Sequence, residues 1–300
     1  MSTIINRFMI ALFESFDKGR YNRDLRENFF GVQACQYKEE KEIFNLLEAL
    51  QRDNLKLGIH FPLRLNQWKF RDPQYLSKDE KQRMESFEFI AKEFEFVSKF
   101  NPNYVLLHYP KPVILDDRVD WTKWRFTDKS EYYYESEYSY NEFEERSRDF
   151  FKWISNKAKE LNISVILELD AVNSYIYNKN LLEELLEEYS NIKLCLDIGR
   201  LHLQEKLDDN FDSYGFVKRF VKYAEVIHLW NVKVSANLEH SHFPILPCQK
   251  PEEGWADIEK YMKIIKECNN TCKFVFEHYS DKITDEELEE CYKWIESLLI

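Results

Sequence analysis

Short apolar runs alternate with charged, amphipathic stretches from one end of this 300-residue sequence to the other. In the stretch Glu39–Leu50, for example, Ile43, Leu46 and Leu50 recur at helical spacing. Eight such runs favour an α/β fold, a closed (β/α)8 TIM barrel, over an open parallel sheet. No composition break or low-complexity linker interrupts the pattern, so we predict a single domain over residues 1–300. The predicted strands are Arg7–Phe13, Gly31–Cys35, Leu57–Phe61, Tyr104–His108, Ile163–Glu168, Ile192–Asp197, Val226–Trp230 and Lys273–Glu277.

The third to the eighth of these predicted strands each end in an imidazole or a carboxylate. The carboxyl ends of barrel strands form a ring, so these side chains should converge on one mouth, where TIM barrels carry their chemistry. Histidine and carboxylate are ligands that suit zinc, manganese or iron. One such histidine is usually a satisfied core residue, but six equivalent positions predict a metal site. The six residues are His60, His108, Glu168, Asp197, His228 and Glu277.

The sixth strand, Ile192–Asp197, leads directly into Gly199, Arg200 and His202. A carboxylate at the end of a buried strand is costly unless it is paired or bound to a metal. The alternative is that Asp197 only caps the next helix, since aspartate is a favoured N-cap residue. The recurrence of the pattern on the other strands favours the metal ligand.

A second histidine motif follows the seventh strand, in the segment Glu239–Ile245. His240 and His242 form an H-x-H pair, which in a loop can be a chance feature of the surface. With this pair, five of the seven histidines of the chain belong either to a strand end or to this motif. That concentration favours a role in metal binding.

Residues 109–140 form the one long interruption of the alternating pattern. They are rich in tryptophan and tyrosine, Trp121 and Trp124 among them, which argues against disorder. Loops of this length in compact domains are often functional lids. We therefore predict a lid-like insertion that stacks on a flat or sugar-like ligand. The alternative is a flap that packs on the barrel rim or on a second subunit.

The composition restricts the class of partner. A net charge of −12 and a pI near 5.2 argue against a broad nucleic-acid surface. No apolar run approaches the roughly 20 residues of a membrane span, and the N-terminus lacks the plan of a signal peptide. The six cysteines are scattered without zinc-finger spacing. We expect a cytoplasmic protein with reduced thiols and a small-molecule substrate, while the oligomeric state stays open.

Over roughly residues 30–280 these motifs resemble the xylose-isomerase-like barrels, which include sugar isomerases, sugar epimerases and the endonuclease IV family. The run His60–Asn66, H-F-P-L-R-L-N, and the motif His108-Tyr-Pro look like the additional histidines of endonuclease IV on strands three and four. The other four strand-end residues look like the single-metal quartet that most of the group shares. They are Glu168, Asp197, His228 and Glu277.

The last loop is similar to that of endonuclease IV at His242 and at Gly254, but two positions depart from the pattern. An aspartate normally stands where His240 stands here. The motif D-x-x-H after strand six reads Asp197-Ile-Gly-Arg200 in this sequence. The histidine that helps to hold a third metal in endonuclease IV is therefore missing.

The resemblance implies two metal sites that share Glu168. A third site would have only His240 and His242, unless His202 joins them, because Arg200 does not lose its proton and cannot be a ligand. We therefore predict two divalent ions, zinc, manganese or iron, and leave a third open. The two complete ligand sets are His60, His108 and Glu168, and Glu168, Asp197, His228 and Glu277.

Two ions bridged by one carboxylate favour hydrolysis of a phosphoester, with Arg200 as a forked donor to the phosphate. Because the chain is acidic, we expect a small or cofactor-like substrate, such as a cobamide-type phosphodiester, rather than DNA. One alternative is a single-metal sugar or sugar-phosphate isomerase or epimerase, in which Glu168 and Glu277 move protons. Another is a metal-containing binding module without turnover. Predicted further substrate contacts are His202, Asn66 and Trp230.

Overall fold

The computed structural model describes residues 4–124, 126 and 129–300, and within them lie twelve strands and ten α-helices. The strands are β1 (Phe8–Phe13), β2 (Gly31–Tyr37), β3 (Lys56–Arg64), β4 (Tyr104–Tyr109), β5 (Val113–Leu115), β6 (Tyr132–Tyr134), β7 (Val165–Leu169), β8 (Ile192–Asp197), β9 (Ala224–Leu229), β10 (Asn231–Val234), β11 (Leu238–Phe243) and β12 (Lys273–Phe276). The helices are α1 (Lys18–Asp24), α2 (Glu40–Arg52), α3 (Glu80–Val97), α4 (Tyr140–Leu161), α5 (Ser174–Tyr177), α6 (Leu181–Glu188), α7 (Ile198–Leu207), α8 (Ser213–Phe220), α9 (Ile258–Cys268) and α10 (Asp285–Leu299).

Eight of the strands close into a parallel barrel, in the order β1, β12, β9, β8, β7, β4, β3, β2. This confirms the predicted (β/α)8 barrel, and each predicted strand overlaps one observed strand. The sequence pattern does not predict the short parallel pair β5–β6 or the antiparallel hairpin β10–β11. Both pairs lie in connections at the barrel mouth, where the alternation of strand and helix is interrupted.

The apolar faces of the helices cover the outside of the barrel. On α2, for example, Ile43, Leu46 and Leu50 are buried at helical spacing, as the sequence pattern predicts. On α4 the buried side includes Phe150 and Phe151, which pack with aromatic residues of the barrel wall. This layer is continuous with the main hydrophobic core between helices and strands.

The inside of the barrel is filled by a separate cluster that includes Met9, Tyr104 and Val275. The hydroxyl of Tyr104 donates a hydrogen bond of 2.9 Å to Oε1 of Gln33. Gly58 on β3 makes room for this ring, because a Cβ at that position would lie only 2.4 Å from it. This packed interior fills the barrel directly below the residues at its mouth.

The register of the strands sets the level of the residues at the mouth. His108 on β4 pairs with Glu168 on β7, and Asp197 on β8 pairs with His228 on β9. Residues that are paired across parallel strands lie side by side and point to the same face of the sheet. The register therefore brings the chemically active side chains of neighbouring strands next to one another.

The insertion 109–140 packs on the rim of the barrel through its described residues. Trp121 and Trp124 are buried in a cluster with Leu203 of α7, Trp230 and Val232 of the β10 region. Arg125, Thr127 and Asp128 lie outside the described residues. Trp121 and Trp124 thus lie in a small apolar cluster at the mouth that the insertion shares with α7 and the β10 region.

Two further expectations concern the chain as a whole. Among the helices of the described residues, none is both long enough and apolar enough to cross a membrane. All six cysteines are free, and Cys35 and Cys195 are buried close to the barrel mouth. The expectation of reduced thiols is therefore consistent with the positions of the cysteines.

Gly58→Ala should destabilise the protein by about 1–3 kcal/mol, because overpacking a close-packed interior forces side chains or backbone to move. The matched control is Gly19→Ala on the exposed face of α1, where a Cβ would lie 3.2 Å from the nearest atom, a side-chain oxygen. There alanine should change the stability little, because an exposed side-chain oxygen needs to move by only a few tenths of an ångström. Urea unfolding of both variants measures the difference, and equal stability of Gly58→Ala and the wild type would contradict the packing account.

Candidate metal centre at the barrel mouth

The six predicted strand-end residues all lie at the carboxyl-terminal mouth of the barrel. Their exposed fractions range from 0% for Glu168 to 7% for Glu277, so all six are buried. All six belong to two groups that share Glu168, and within each group the candidate ligand atoms lie within 4.8 Å of one another. The structure therefore brings together the side chains that the sequence pattern singles out. They are His60, His108, Glu168, Asp197, His228 and Glu277.

Glu168 lies at the centre of this arrangement. Its Oε2 is 3.2 Å from Nε2 of His60 and 3.6 Å from Nε2 of His108. Its Oε1 is 3.6 Å from Nδ1 of His228. His60, His108 and Glu168 form one complete group of candidate metal ligands.

The second group consists of Glu168, Asp197, His228 and Glu277, and Nδ1 of His228 lies 2.8 Å from Oε2 of Glu277. Cys195 lies within the same distance range of Glu168 and His228. Burial raises the pKa of the Cys195 thiol to about 12, so the thiol stays protonated unless a metal displaces the proton. The four-residue group offers three carboxylates and one imidazole, a donor set that suits a divalent cation.

Several atoms of these groups are buried and have no hydrogen-bond partner among the described residues. They include both carboxylate oxygens of Glu168, Nε2 of His108 and Nδ1 of His228. A buried carboxylate that accepts no hydrogen bond is costly, and buried polar atoms in native proteins nearly always have a partner. These atoms face one another across the site, so a divalent cation between them would satisfy several at once. The residues present therefore fit a metal ion.

Two further side chains hold the candidate ligands in place. Oδ1 of Asp72 lies 3.0 Å from Nδ1 of His108, and Oε1 of Gln33 lies 3.1 Å from Nε2 of His228. A carboxylate or amide on the far nitrogen orients a ligating histidine and fixes its tautomer. Sequence reasoning missed Asp72 and Gln33, because Asp72 lies in the connection after β3 and Gln33 lies inside β2, away from the strand end.

Asp197 caps the next helix and also belongs to the candidate ligand group. Its Oδ1 accepts the backbone N–H of Arg200 at 2.9 Å, so it caps α7. Its Oδ2 accepts the indole N–H of Trp230 at 2.9 Å and faces the ligand group. Gly199 permits this contact, because a Cβ there would lie 2.4 Å from the Trp230 ring. The helix cap therefore orients the same carboxylate for metal binding.

Arg200 points into the site rather than outward. Its Nε lies 3.3 Å from Glu168 and 3.3 Å from Asp197, and its Nη1 donates to Asp170. The guanidinium is thus shared by three buried carboxylates within the chain. This is a different environment from the open fork that we predicted for a substrate phosphate, since these carboxylates already use its charge.

Lys111 joins two of the supporting carboxylates. Its Nζ lies 3.0 Å from Asp72 and 2.6 Å from Asp170, and its side chain is 1% exposed. Burial opposes ionisation of both aspartates, but the neighbouring cations hold the pKa of each well below its usual range. An ionic chain therefore runs from His108 through Asp72, Lys111 and Asp170 to Arg200. Sequence reasoning missed this chain because Lys111 and Asp72 follow strand ends in irregular segments.

The remaining predicted site residues lie farther from the ligand groups. His240 is exposed and stacks on Trp255, with ring centroids 5.3 Å apart, whereas His242 stacks on Trp230 at 4.1 Å. His202 is buried on α7, and its Nε2 lies 3.3 Å from the carbonyl oxygen of Gly254. Among the described residues, no candidate ligand group contains any of these three histidines. The third metal therefore has no assembled ligand set in the part of the chain that the structure describes.

Asn66 lies in the turn after β3, in the left-handed region with φ = 63°, and its side chain is exposed. Among the described residues that line the cavity at the mouth, Asn66 and His202 are absent, whereas Trp230 and Arg200 are present. Of the predicted substrate contacts, only the latter two face the cavity. The substrate role of Asn66 and His202 has no geometric support.

A cavity of about 370 Å³ opens above the candidate ligands. His60, His108 and Glu277 line its floor, and Trp124 and Trp230 line its wall. A wider depression of about 760 Å³ lies at the opposite end of the barrel. Its lining includes residues at the amino ends of strands and none of the candidate ligands, so the chemistry belongs to the smaller cavity at the mouth.

Searches for related proteins give structural matches only. No protein-family model matches the sequence, and no curated protein matches it. A D-tagatose 3-epimerase-like protein has a TM-score of 0.64 at 16% identity, over 98% of each chain. The IOLI protein with a bound zinc atom has a TM-score of 0.62 at 13% identity, over 98% of each chain.

D-psicose 3-epimerase with D-tagatose, from Clostridium cellulolyticum H10, has a TM-score of 0.60 at 11% identity, over 98% of this chain and 99% of that one. The TM-scores show a shared fold, and at identities this low the matches show nothing beyond the fold. The fold predicted from the resemblance to xylose-isomerase-like barrels is therefore confirmed, over nearly the whole length of the chain.

Lys111→Met should lower both the stability of the protein and its affinity for metal, although Lys111 is not a candidate ligand. Methionine keeps much of the volume but removes the charge that Asp72 and Asp170 share, and breaking a buried ion pair costs about 3–5 kcal/mol. Loss of support for His108 should also weaken metal binding by about 10–100-fold. Urea unfolding and metal titration measure the two effects. The control Lys129→Met removes an exposed pair with Glu137 and should change neither quantity much.

His202 should make the protein less stable as the pH falls. Burial lowers the pKa of His202 to about 4, whereas an unfolded histidine titrates near about 6.5. Between these values only the unfolded chain takes up the proton, so this group lowers stability by about 1.4 kcal/mol per pH unit as pH falls. His202→Leu should flatten the decline measured by urea unfolding between pH 6.5 and pH 4. Parallel curves for variant and wild type would contradict this assignment.

Proposed function

We propose that the chain is a divalent-metal-dependent sugar isomerase or epimerase. The observation that carries the proposal is the quartet Glu168, Asp197, His228 and Glu277, whose ligand atoms lie within 4.8 Å of one another at the barrel mouth. When bound there, a divalent ion polarises a sugar carbonyl and its neighbouring hydroxyl. Support also comes from the two epimerase structures with this fold, the D-tagatose 3-epimerase-like protein and D-psicose 3-epimerase.

Glu168 and Glu277 are assigned the proton transfers. Isomerisation or epimerisation removes a proton from a carbon beside a carbonyl and returns one, so it needs a base and an acid at the substrate. Burial opposes ionisation of both groups, yet His228 beside them keeps both pKa values below their usual range. Both carboxylates are therefore charged at neutral pH, and either can take the first proton.

The cavity at the mouth suits a small substrate. Its volume of about 370 Å³ is near the lower end of the roughly 300–1,000 Å³ that small-molecule pockets span. Trp124 and Trp230 supply apolar ring surface to the same cavity, on which the C–H face of a sugar can pack. We assign the insertion 109–140 as the lid of this cavity, with Trp124 as its contact to the substrate.

Arg200 is assigned a supporting role. Its guanidinium pairs with Glu168, Asp170 and Asp197, so it orients two of the metal ligands and offsets part of their charge. Trp230, which donates to Asp197, supports the same ligand from the other side. Both residues therefore position carboxylates of the quartet.

Phosphoester hydrolysis, our first preference from the sequence, is now the second candidate. The structures with this fold give no support for it, and a cobamide-type substrate fits a cavity of about 370 Å³ poorly. One observation favours it, namely the second ligand group of His60, His108 and Glu168. Two ions that share Glu168 could clamp a phosphoester and activate water. The number of essential ions therefore separates the two candidates.

Zinc, manganese and iron all suit the histidine and carboxylate donors of the quartet. Zinc is the metal in the IOLI structure with this fold. We propose a small-molecule substrate and no nucleic-acid partner, because the net charge of −12 opposes binding to phosphate backbones. The six free cysteines are in keeping with a cytoplasmic location.

The test is to treat the metal-loaded protein with ketohexoses and ketopentoses in D2O and to follow the products by NMR. The product should carry deuterium at the carbon that has lost and regained its proton. Removal of the ion with EDTA should abolish turnover, and one equivalent of metal should restore it. Glu277→Gln should reduce kcat by about 10²–10⁴-fold, whereas Glu290→Gln on the exposed face of α10 should match the wild type.

Two results would contradict the proposal. Hydrolysis of bis(p-nitrophenyl) phosphate that needs two ions per chain, without deuterium incorporation into any ketose, would establish the hydrolase instead. Tight binding of metal without turnover of either class of substrate would identify a binding module.

A further inference from the structure

We propose that Arg71 binds an oxyanion of the substrate, a phosphate or a carboxylate, at the mouth of the barrel. This inference rests on the proposed function, because it specifies which sugar derivative the site accepts. The sequence analysis gave the role of anion binding to Arg200, but the guanidinium of Arg200 already pairs with carboxylates of the chain. We assign that role to Arg71, which the sequence pattern did not single out. Arg71 would therefore determine specificity, not carry out the chemistry.

Arg71 lies in the connection between β3 and α3 and lines the cavity together with His60, His108 and Glu277. Its side chain is exposed, and the exposed surface borders this cavity. Among the described residues, Arg71 has neither a hydrogen bond nor an ion pair. A guanidinium carries five N–H donors and no acceptor, so a ligand in the cavity is free to receive them.

The other cations that line or adjoin the cavity are already engaged. Arg200 pairs with three carboxylates, and Lys111 is held between Asp72 and Asp170. Lys123, on the insertion, donates to the backbone carbonyl of Ala236 at 2.8 Å. Arg71 therefore differs from its neighbours in having its donors available.

The carboxylates nearest to Arg71 do not neutralise it by direct contact. Asp72, its neighbour in the chain, is taken by His108 and Lys111, and Asp170 is taken by Lys111 and Arg200. The positive charge of Arg71 therefore remains available to a ligand in the cavity. It helps to lower the pKa values of Asp72 and Asp170, although burial and closer partners dominate there.

The chemistry of the guanidinium selects the type of ligand. Its planar fork matches the paired oxygens of a phosphate or a carboxylate and forms two parallel charge-assisted hydrogen bonds. A neutral hydroxyl offers only one oxygen and no charge. Arg71 stands beside the candidate ligands, and Trp124 and Trp230 line the same cavity. This arrangement fits a sugar whose ring packs on the indoles while an anionic substituent reaches Arg71.

The first experiment measures binding without turnover. The metal-loaded protein is titrated calorimetrically with inorganic phosphate and, separately, with malonate, at constant ionic strength. Arg71→Gln should weaken binding of the preferred anion at least tenfold, and Arg71→Lys should retain part of it because the charge stays and the fork is lost. The control Arg52→Gln removes an exposed arginine on α2, far from the mouth, and should bind as the wild type does.

The preferred probe distinguishes a phosphate from a carboxylate. Equal affinity of Arg71→Gln and the wild type would mean that the anion contacts only the metal, which would overturn the proposal. Failure of the wild type to bind either probe would also overturn it. Thermal unfolding of each variant verifies that the fold is intact.

The second experiment compares D-fructose with D-fructose 6-phosphate in the deuterium assay. If the preferred anion is phosphate, the ratio of kcat/KM for the phosphorylated over the free sugar should exceed one in the wild type. That ratio should fall at least tenfold in Arg71→Gln. An unchanged ratio overturns the role of Arg71 while leaving the epimerase intact. Turnover of neither sugar counts against the proposed function, and the calorimetric result then decides on Arg71 by itself.

Discussion

The carboxylate of Glu168 is the group on which the rest of the mouth depends. It is buried, and in the part of the chain that the structure describes neither of its oxygens has a hydrogen-bond partner. Three histidines and Arg200 nevertheless surround it at 3.2–3.6 Å. A charge in this position is stable only with cations beside it, since desolvation of an isolated carboxylate costs several kcal/mol. A divalent ion held by Glu168 and its neighbouring ligands would supply that compensation.

The ionic chain around the site supports Glu168 indirectly, through His108 and Arg200. Lys111 holds Asp72 and Asp170, and these in turn hold His108 and Arg200. Lys111 and Asp170 each have an opposite charge on both sides, so the cost of burial is shared among the pairs. A chain of this kind resists rearrangement, because movement of one member leaves its neighbours unpaired. The candidate ligands are thereby fixed before any ion or substrate arrives, which is the condition for rapid catalysis.

The sequence predicts the fold and the six strand-end residues for one physical reason. In a closed parallel barrel, periodicity locates each strand, and the end of each strand locates one residue of the ring, as for His108 and Glu168. The same reasoning does not reach Asp72, Lys111 or Arg71. They lie in irregular connections, where no period relates position in the sequence to position in space. Their partners come from tertiary packing alone.

Asp197 shows a further limit of prediction from sequence patterns. The sequence offers helix capping and metal binding as alternatives, but a carboxylate has two oxygens, so Asp197 can cap α7 and still belong to the candidate ligand group. The histidines of the H-x-H motif show the opposite case. Their spacing suggests a ligand pair, yet the turn of β11 places His240 against Trp255 and His242 against Trp230. Residues i and i+2 of a regular strand share one face. The register shifts in the β10–β11 pair and the positive φ of 49° at His242 break that regularity, so the two histidines separate.

The most direct test of the central claim is to locate the metal by anomalous scattering. Crystals of protein loaded with one equivalent of manganese or zinc should show a single peak enclosed by Glu168, Asp197, His228 and Glu277. A single peak beside His60 and His108, with the quartet empty, would contradict the account. So would an ion bound only at the protein surface.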